Sequence, residues 1–202
     1  YAPITAFSSS SKGTVAGFAD GTLVSFTKDG QVDQKFQPGG SKYPIIVGVG
    51  ISEDGNLIAC VSGQNQQRFV IAEKNGGHSK IIFHEWLNED SNSQELVKFN
   101  RSANTVWYGY KGGLGIVDLK KLNSYKIPLK GTVIQIEEAE NSEFTYILSR
   151  ENSKCTVTVL EPFNQVAASF SFTAESAFIQ VNKDSLFIGR DNKISRLTVS
   201  RK

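Results

Sequence analysis

The chain has 202 residues, of which 39% are hydrophobic, 10% aromatic and 21% charged, and this composition excludes disordered, collagen-like and fibrous proteins. Its 22 basic residues exceed its 20 acidic residues by only two, which argues against a dedicated nucleic-acid binder. No apolar run approaches the roughly 18 residues that a membrane span needs.

The first forty residues predict four short strands rich in β-branched and aromatic residues. Two turns between them, Asp20-Gly21 and Asp29-Gly30, are typical of hairpins, because such turns need a positive φ. The predicted strands of this first repeat are 4–7, 14–18, 22–27 and 32–36.

The same pattern recurs four more times along the chain, and no window carries the 3.6-residue apolar period of a helix. The last repeat has three predicted strands instead of four. The later strands are predicted at 46–49, 57–61, 68–72 and 80–83; at 96–99, 105–109, 114–119 and 125–129; at 134–136, 144–148, 155–160 and 166–172; and at 179–181, 186–189 and 194–199.

Repeats of roughly 40–50 residues with four strands each are the signature of β-propeller blades. A β-sandwich would not need five similar units. We therefore predict an all-β, single-domain propeller over 1–202, with blades near 3–42, 43–92, 93–131, 132–176 and 177–202. The last blade is either three-stranded or completed by residues upstream of Tyr1.

Two motifs resemble the WD40 or YVTN superfamily of propellers. Ser52-Glu53-Asp54-Gly55-Asn56 is similar to the turn that precedes the second strand of those blades, and Ile116-Val117-Asp118 ends a third strand where the family often carries Trp-Asp. The chain has no Gly-His and no Trp-Asp dipeptide, so the looser YVTN-like description fits better. The resemblance spans nearly the whole chain and implies the same propeller fold.

No catalytic, metal or cofactor site is predicted. His78 and His84 lie at opposite ends of one predicted strand and do not converge as zinc ligands must. Cys60 and Cys155 lie two blades apart, so we expect free, mostly buried thiols. Motifs for serine hydrolases, phosphate loops and zinc proteases are absent from the sequence.

Two aromatic residues are candidate binding residues. Trp86 lies in a long acidic link between the second and third repeats, residues 84–93, where it is either an exposed recognition anchor or folds back with Leu87 over the blade edge. Tyr110 shares a strand face with Tyr108, opposite the face of Trp107, and such aromatics serve either binding or blade-to-blade packing.

A basic rim is the third candidate. In a propeller, the loops joining second to third strands emerge on one face, and here these loops and their flanks are rich in Lys and Arg. The acidic link through Glu85, Glu89 and Asp90 reaches the same face and partly neutralises it. The basic residues that we expect to dock an acidic protein segment are Arg68, Lys111, Arg150 and Arg190.

These observations favour a non-catalytic protein–protein interaction scaffold with another protein as partner. A small-ligand or glycan-binding propeller is the alternative, although it would need similar pockets in each blade and the loops are dissimilar. An enzyme would need convergent ionisable residues, and none can be assembled from the strand ends. Fold alone does not settle function.

The start of the sequence and its cysteine content bear on where the protein is located in the cell. The chain starts with Tyr1 and contains no Met, so we expect a mature or trimmed form with a possible signal peptide or membrane anchor upstream. The two cysteines do not make a disulfide framework. Likeness to bacterial envelope propellers favours an extracytoplasmic domain, periplasmic or membrane-anchored, with a cytoplasmic scaffold as the alternative.

Overall fold

The computed structural model describes residues 2–139, 144–183 and 185–198. Within them, nineteen strands form five antiparallel sheets of four, four, four, four and three strands, which confirms the predicted five-bladed β-propeller with a three-stranded last blade. The described residues contain one helical turn, Pro162–Asn164, and no helix among them is long and apolar enough to cross a membrane. Two compact units divide the chain, Tyr1–Ile127 and Pro128–Lys202.

The first unit carries three blades, each a sheet in which strands adjacent in sequence pair with one another. Blade 1 consists of β1 (Ile4–Ser10), β2 (Gly13–Phe18), β3 (Leu23–Thr27) and β4 (Val32–Phe36). Blade 2 consists of β5 (Tyr43–Ile51), β6 (Leu57–Gln64), β7 (Arg68–Asn75) and β8 (His78–Trp86). Blade 3 consists of β9 (Val97–Phe99), β10 (Thr105–Tyr110), β11 (Gly113–Asp118) and β12 (Asn123–Pro128), whose last residue belongs to the second unit.

The second unit carries the remaining two blades. Blade 4 consists of β13 (Thr132–Glu138), β14 (Thr145–Glu151), β15 (Lys154–Glu161) and β16 (Gln165–Thr173). Blade 5 consists of β17 (Ala177–Asn182), β18 (Ser185–Arg190) and β19 (Lys193–Thr198). Gln135 of blade 4 bridges to blade 5, because its side chain donates to the Ile179 carbonyl at 2.6 Å and accepts from the Ile179 amide at 2.9 Å.

All nineteen predicted strands are present, and most are slightly longer than the sequence indicated. The turn predicted at 62–66 is shorter than expected, because β6 continues to Gln64 and leaves only 65–67 between it and β7. The turn predicted at 140–143 and the predicted strand residue Val199 lie outside the described residues.

The family-like turn at 52–56 is built by hydrogen bonds of its own side chains. Ser52 Oγ donates to Asp54 Oδ1 at 2.6 Å and accepts from the Leu57 amide at 2.9 Å. Asn56 donates to both oxygens of Asp54, and Gly55 adopts a φ of 75°, a left-handed conformation that favours glycine. The motif therefore closes the β5–β6 hairpin.

The core forms between neighbouring sheets, as stacked blades require. One cluster joins blades 2 and 3 around Phe69, Val106 and Tyr108, a second joins blades 1 and 2 around Leu23, Ile46 and Ile58, and a third joins blades 4 and 5. The sequence predicts nine core residues on the second and third strands, of which seven are buried and two, Leu57 and Phe144, are half-buried. The seven buried ones are Ile58, Val106, Ile116, Ile147, Val157, Leu186 and Ile188.

Truncating Ile147 or Val106 should destabilise the protein. Both side chains are fully buried, so we expect Ile147→Ala to lower the free energy of unfolding by about 2–5 kcal/mol and Val106→Ala to lower it by less, because Val loses fewer methyl groups. Urea denaturation of both variants measures the effect. Ile134→Ala, at an exposed isoleucine of blade 4, is the control, and equal midpoints for Ile147→Ala and Ile134→Ala would contradict the strand register.

Candidate functional site

Three loops of the first unit meet beside blade 2, and we call residues 38–42, 63–68 and 86–95 the blade-2 rim. The carboxylate of Asp90 accepts hydrogen bonds from the backbone amides of Asn65 and Gln67, the latter at 2.8 Å. Ser41 Oγ donates to the Gln64 carbonyl at 2.8 Å. The link that follows β8 and the link that precedes β5 are therefore both attached to the β6–β7 turn.

Gln67 is the centre of the blade-2 rim. Its side chain is fully buried and satisfied, since Nε2 donates to the carbonyls of Gly63 and Ser91, both at 3.2 Å, and Oε1 accepts from the Ser91 amide at 3.1 Å. The Gln67 carbonyl also accepts from the Leu87 amide at 2.9 Å. A buried polar side chain with all its partners in place rigidifies the segments that it joins.

Arg68 is not the exposed rim cation that the sequence suggested. Its side chain is only 8% exposed, and its Nη2 donates to the Pro38 carbonyl. Gly40 lies against the guanidinium so closely that a Cβ atom there would be 2.5 Å from Arg68 Cζ. Arg68 Nε is buried and has no hydrogen-bond partner among the described residues.

Trp86 is an exposed aromatic held in place by that buried cation. It is paired with Arg68 across β7 and β8, and the Arg68 Cζ atom lies 5.7 Å from the centroid of the Trp86 ring. Trp86 is 47% exposed, whereas Leu87 is buried in the cluster between blades 2 and 3. Each alternative therefore holds for one residue of the pair: Leu87 folds back over the blade edge, and Trp86 is exposed to solvent.

Tyr110 lies on β10 of blade 3 and packs against the cluster between blades 2 and 3. Its ring contacts that of Tyr108, with centroids 6.3 Å apart, and Lys126 Nζ lies 5.5 Å from its centroid. Burial, followed by the charge of Glu85, raises the pKa of Tyr110. The half-buried side chain belongs to the interface of blades 2 and 3, which is the packing role that we weighed for it.

Glu85, which the sequence placed in the acidic link, also joins blades 2 and 3, and the sequence did not indicate this second role. One oxygen of its carboxylate accepts from the Tyr108 hydroxyl, and the other accepts from Ser124 Oγ at 2.8 Å. Glu85 lies on β8, one position before Trp86, so alternation along the strand turns the two side chains to opposite faces. Glu85 therefore positions the strand end from which Trp86 projects.

Lys111 is exposed and is paired with the acidic link. Its Nζ lies 3.0 Å from Glu89 Oε2, and both side chains are largely solvent-exposed. An exposed pair of this kind contributes little to stability. Its effect on the surface is to cancel a positive charge beside the blade-2 rim, as the acidic link was expected to do.

The other two basic candidates lie in the second unit. Arg150 is half-buried and donates to the carbonyls of Asn152 at 2.9 Å and Glu175 at 2.5 Å, so it ties two loops together. Asp191 makes a second tie, because its Oδ1 accepts from the amides of Glu175 at 2.9 Å and Ser176 at 3.0 Å. Arg190 is exposed at the end of β18.

Glu95 is a buried carboxylate that the sequence pattern did not reveal. It is 4% exposed, lies against Gly109 of β10, and its Oε2 has no hydrogen-bond partner among the described residues. Burial raises the pKa of Glu95, opposed by a hydrogen bond from Ser91. Its position directly before the apolar run Leu96–Val97 was the only signal of its burial.

We expect Glu95→Gln to change how stability depends on pH. Because the pKa of Glu95 is higher in the folded chain than its ordinary value of 4.5, its stabilising contribution is complete below about pH 4.5 and is lost as pH rises through the folded-state pKa. The Gln variant does not ionise, so its urea midpoint should rise relative to that of the wild type as pH increases above about 4.5. Glu73→Gln, at an exposed position of β7, is the control, and equal pH profiles for the two variants would refute the assignment.

The cysteines and histidines do not assemble a reactive site. Cys60 and Cys155 are free and buried, and burial raises the pKa of the Cys60 thiol to about 12 although the charge of Arg68 opposes it. His78 and His84 are exposed on β8. Within 2–139, 144–183 and 185–198, no three His, Cys, Asp or Glu side chains are grouped so as to hold a metal ion.

Comparison with known proteins agrees with this fold. A family model described as a beta-propeller protein matches residues 1–201, and the chain belongs to that family. An uncharacterized protein of Treponema pallidum (strain Nichols) is 32% identical over 199 residues, which are 98% of this chain and 53% of the relative. The chain thus spans about half the length of the curated relative that it matches.

Two solved propellers are similar in structure. The beta-propeller domain of Myceliophteria thermophila Cps50 (Swd1) superposes with a TM-score of 0.68 at 10% identity and covers 98% of this chain and 66% of that domain. The Dos1 propeller has a TM-score of 0.65 at 15% identity and covers 100% of this chain and 60% of the other. At such identities the likeness establishes the fold and not a shared partner.

Proposed function

We propose that this chain is a non-catalytic interaction module that binds another protein through the blade-2 rim. The observation that carries the proposal is Trp86, a large aromatic side chain that stays 47% exposed while its neighbours on the rim are fixed. Trp and Arg are the residues most enriched among binding hot spots, and here the Trp86 ring lies beside the Arg68 guanidinium.

The surroundings of Trp86 support this role. The hydrogen bonds of Gln67, Asp90 and Ser91 hold residues 63–68 and 86–95 of the rim in one arrangement, so the aromatic ring projects from an ordered base. Exposed loops on a rigid scaffold are where propellers and other β-folds carry their binding residues. The similarity to other propellers is consistent with this use of the fold and does not identify the partner.

The test compares two exposed aromatic residues of the first unit. Proteins captured by the wild-type chain are identified, and their binding is then measured with Trp86→Ala and with Tyr125→Ala. Tyr125, on β12, is 45% exposed and lies outside the rim, which makes it the matched control. We expect Trp86→Ala to weaken binding at least about tenfold and Tyr125→Ala to leave it unchanged. Equal binding by wild type and Trp86→Ala would overturn the proposal.

A further inference from the structure

Arg68 is a buried cation whose charge is not matched by a neighbouring anion. Its side chain is 8% exposed, and no carboxylate of the described residues lies within ion-pair distance of it. Among the described residues, its Nη2 donates to the Pro38 carbonyl and its Nε has no partner. A buried guanidinium with an unused donor is costly unless a partner arrives to satisfy it.

A second unsatisfied polar atom lies on the residue directly opposite. Ser62 pairs with Arg68 across β6 and β7, and paired residues of adjacent strands place their side chains on the same face. Ser62 Oγ is buried and, like Arg68 Nε, has no nitrogen or oxygen partner among the described residues, and its interaction with the Cys60 thiol is weak because sulfur is a poor acceptor. Two unused donors on one cross-strand pair suit one acceptor group with two oxygens.

The cover over this pair is made of two glycines. Gly39 and Gly40 have φ values of 68° and 91°. A Cβ atom built on Gly40 would lie 2.5–2.7 Å from atoms of the Arg68 guanidinium. Beyond the guanidinium stands the exposed ring of Trp86. Because glycines carry no side chain, this turn covers the guanidinium with backbone alone, and glycine backbones have the conformational freedom that a rearrangement of the turn needs.

We propose that Arg68 and Ser62 form a carboxylate-recognition site, entered by displacement of the Gly39–Gly40 turn, that binds an Asp or Glu side chain of the partner segment docked on Trp86. The inference rests on the proposed function and names the chemistry of the partner. Arg pairs with carboxylates through parallel hydrogen bonds, and those bonds are stronger than neutral ones. Lys42, exposed beside Tyr43, adds a positive charge at the same end of blade 2.

The experiment uses two blocked peptides, acetyl-Phe-Glu-Ala-Glu-Ala-Glu-amide and its counterpart with Gln at each Glu. Neither peptide contains Trp, so neither contributes Trp fluorescence. Binding is followed by the Nε–H resonance of Arg68 and by the change in Trp fluorescence. That change reports mainly on Trp86, because the chain's other tryptophan, Trp107, is buried away from the peptide. We expect the Glu peptide to shift the resonance saturably and to bind at least about tenfold more tightly than the Gln peptide. Equal titrations by the two peptides would overturn the proposal without any variant.

Variants separate geometry from charge. Arg68→Gln and Arg68→Lys should each weaken binding of the Glu peptide at least about tenfold, because neither retains the guanidinium that pairs with a carboxylate through parallel hydrogen bonds. Lys42→Gln removes a charge from the same end of blade 2 and should weaken binding less. Full affinity in Arg68→Lys would show that charge alone suffices and would refute the site. In the last experiment, inorganic phosphate competes with the Glu peptide. If phosphate binds as tightly as the Glu peptide, the site is a general anion site and the proposal is refuted.

The failure of this inference differs from a failure of the proposed function. If the captured partner is lost with Trp86→Ala but bound equally by Arg68→Gln, the binding face stands and the carboxylate site is refuted. If the partner is bound equally by Trp86→Ala, the binding face itself is refuted, whatever the peptides do.

Discussion

Replacing Phe69 with alanine should lower the free energy of unfolding by about 3–5 kcal/mol. Phe69 is fully buried at the interface of blades 2 and 3, and its ring is stacked on that of Tyr108 with the centroids 3.9 Å apart. The substitution removes a whole ring and leaves a cavity that the flanking strands cannot close. Thermal and urea denaturation of the variant measure the loss.

Phe83 is the control for this prediction. It also contacts Phe69, but at a centroid distance of 6.3 Å, and it is only partly buried. We expect Phe83→Ala to cost clearly less than Phe69→Ala. Similar losses for the two variants would mean that the stack between Phe69 and Tyr108 does not hold the two blades together.

Adding one methyl group at Gly115 should be among the most damaging small substitutions in the chain. Gly115 pairs with Tyr108 across β10 and β11, and a Cβ atom at 115 would overlap the Tyr108 ring, which is fully buried and cannot rotate away. We expect Gly115→Ala to destabilise the protein by about 1–3 kcal/mol or more, measured by urea denaturation.

Blade 5 offers the matched comparison. Gly189 pairs with Phe178 in the same way, and a Cβ atom at 189 would overlap the Phe178 ring. Phe178 is 52% exposed, so its ring can turn toward solvent at low cost. We therefore expect Gly189→Ala to be much milder than Gly115→Ala, and the reverse order would refute the role of burial in this argument.

Most of the fold was predictable because it depends on local patterns. Alternating apolar residues mark the strands, and glycines such as Gly21, Gly30 and Gly55 mark turns that need a positive φ. The ends of strands were less predictable. Polar residues such as Ser62 and Gln64 continue β6 because their backbones pair with β5, and the sequence pattern does not show where such pairing stops.

The candidate site was predictable only in part. The sequence left open whether Trp86 is exposed or folds back over the blade edge, and it did not indicate the burial of Arg68. An arginine beside a turn is usually solvated, and this one is covered because the glycines at 39 and 40, thirty residues earlier in the chain, fold over it. Contacts between loops so distant in sequence depend on tertiary structure, and the same holds for Glu85 and Glu95.

The expectation of a basic rim also changes with the structure. Lys111 is paired with Glu89, Arg68 is covered, and Arg150 donates to two backbone carbonyls. Counting charges along a sequence treats each side chain as an independent solvated ion, whereas these three are engaged by neighbouring groups. The prediction that Arg190 contributes to docking stays a prediction.

The attachment of the 86–95 link to the β6–β7 turn has a thermodynamic consequence for association. Ordering a free ten-residue segment on contact would cost conformational entropy for each residue, and that cost would be subtracted from the affinity. Here Asp90 and Ser91 are bonded to the neighbouring turn in the isolated chain. A protein that docks beside Trp86 therefore meets a link that was already ordered during folding, and residues 86–95 should contribute only a small unfavourable entropy to its binding.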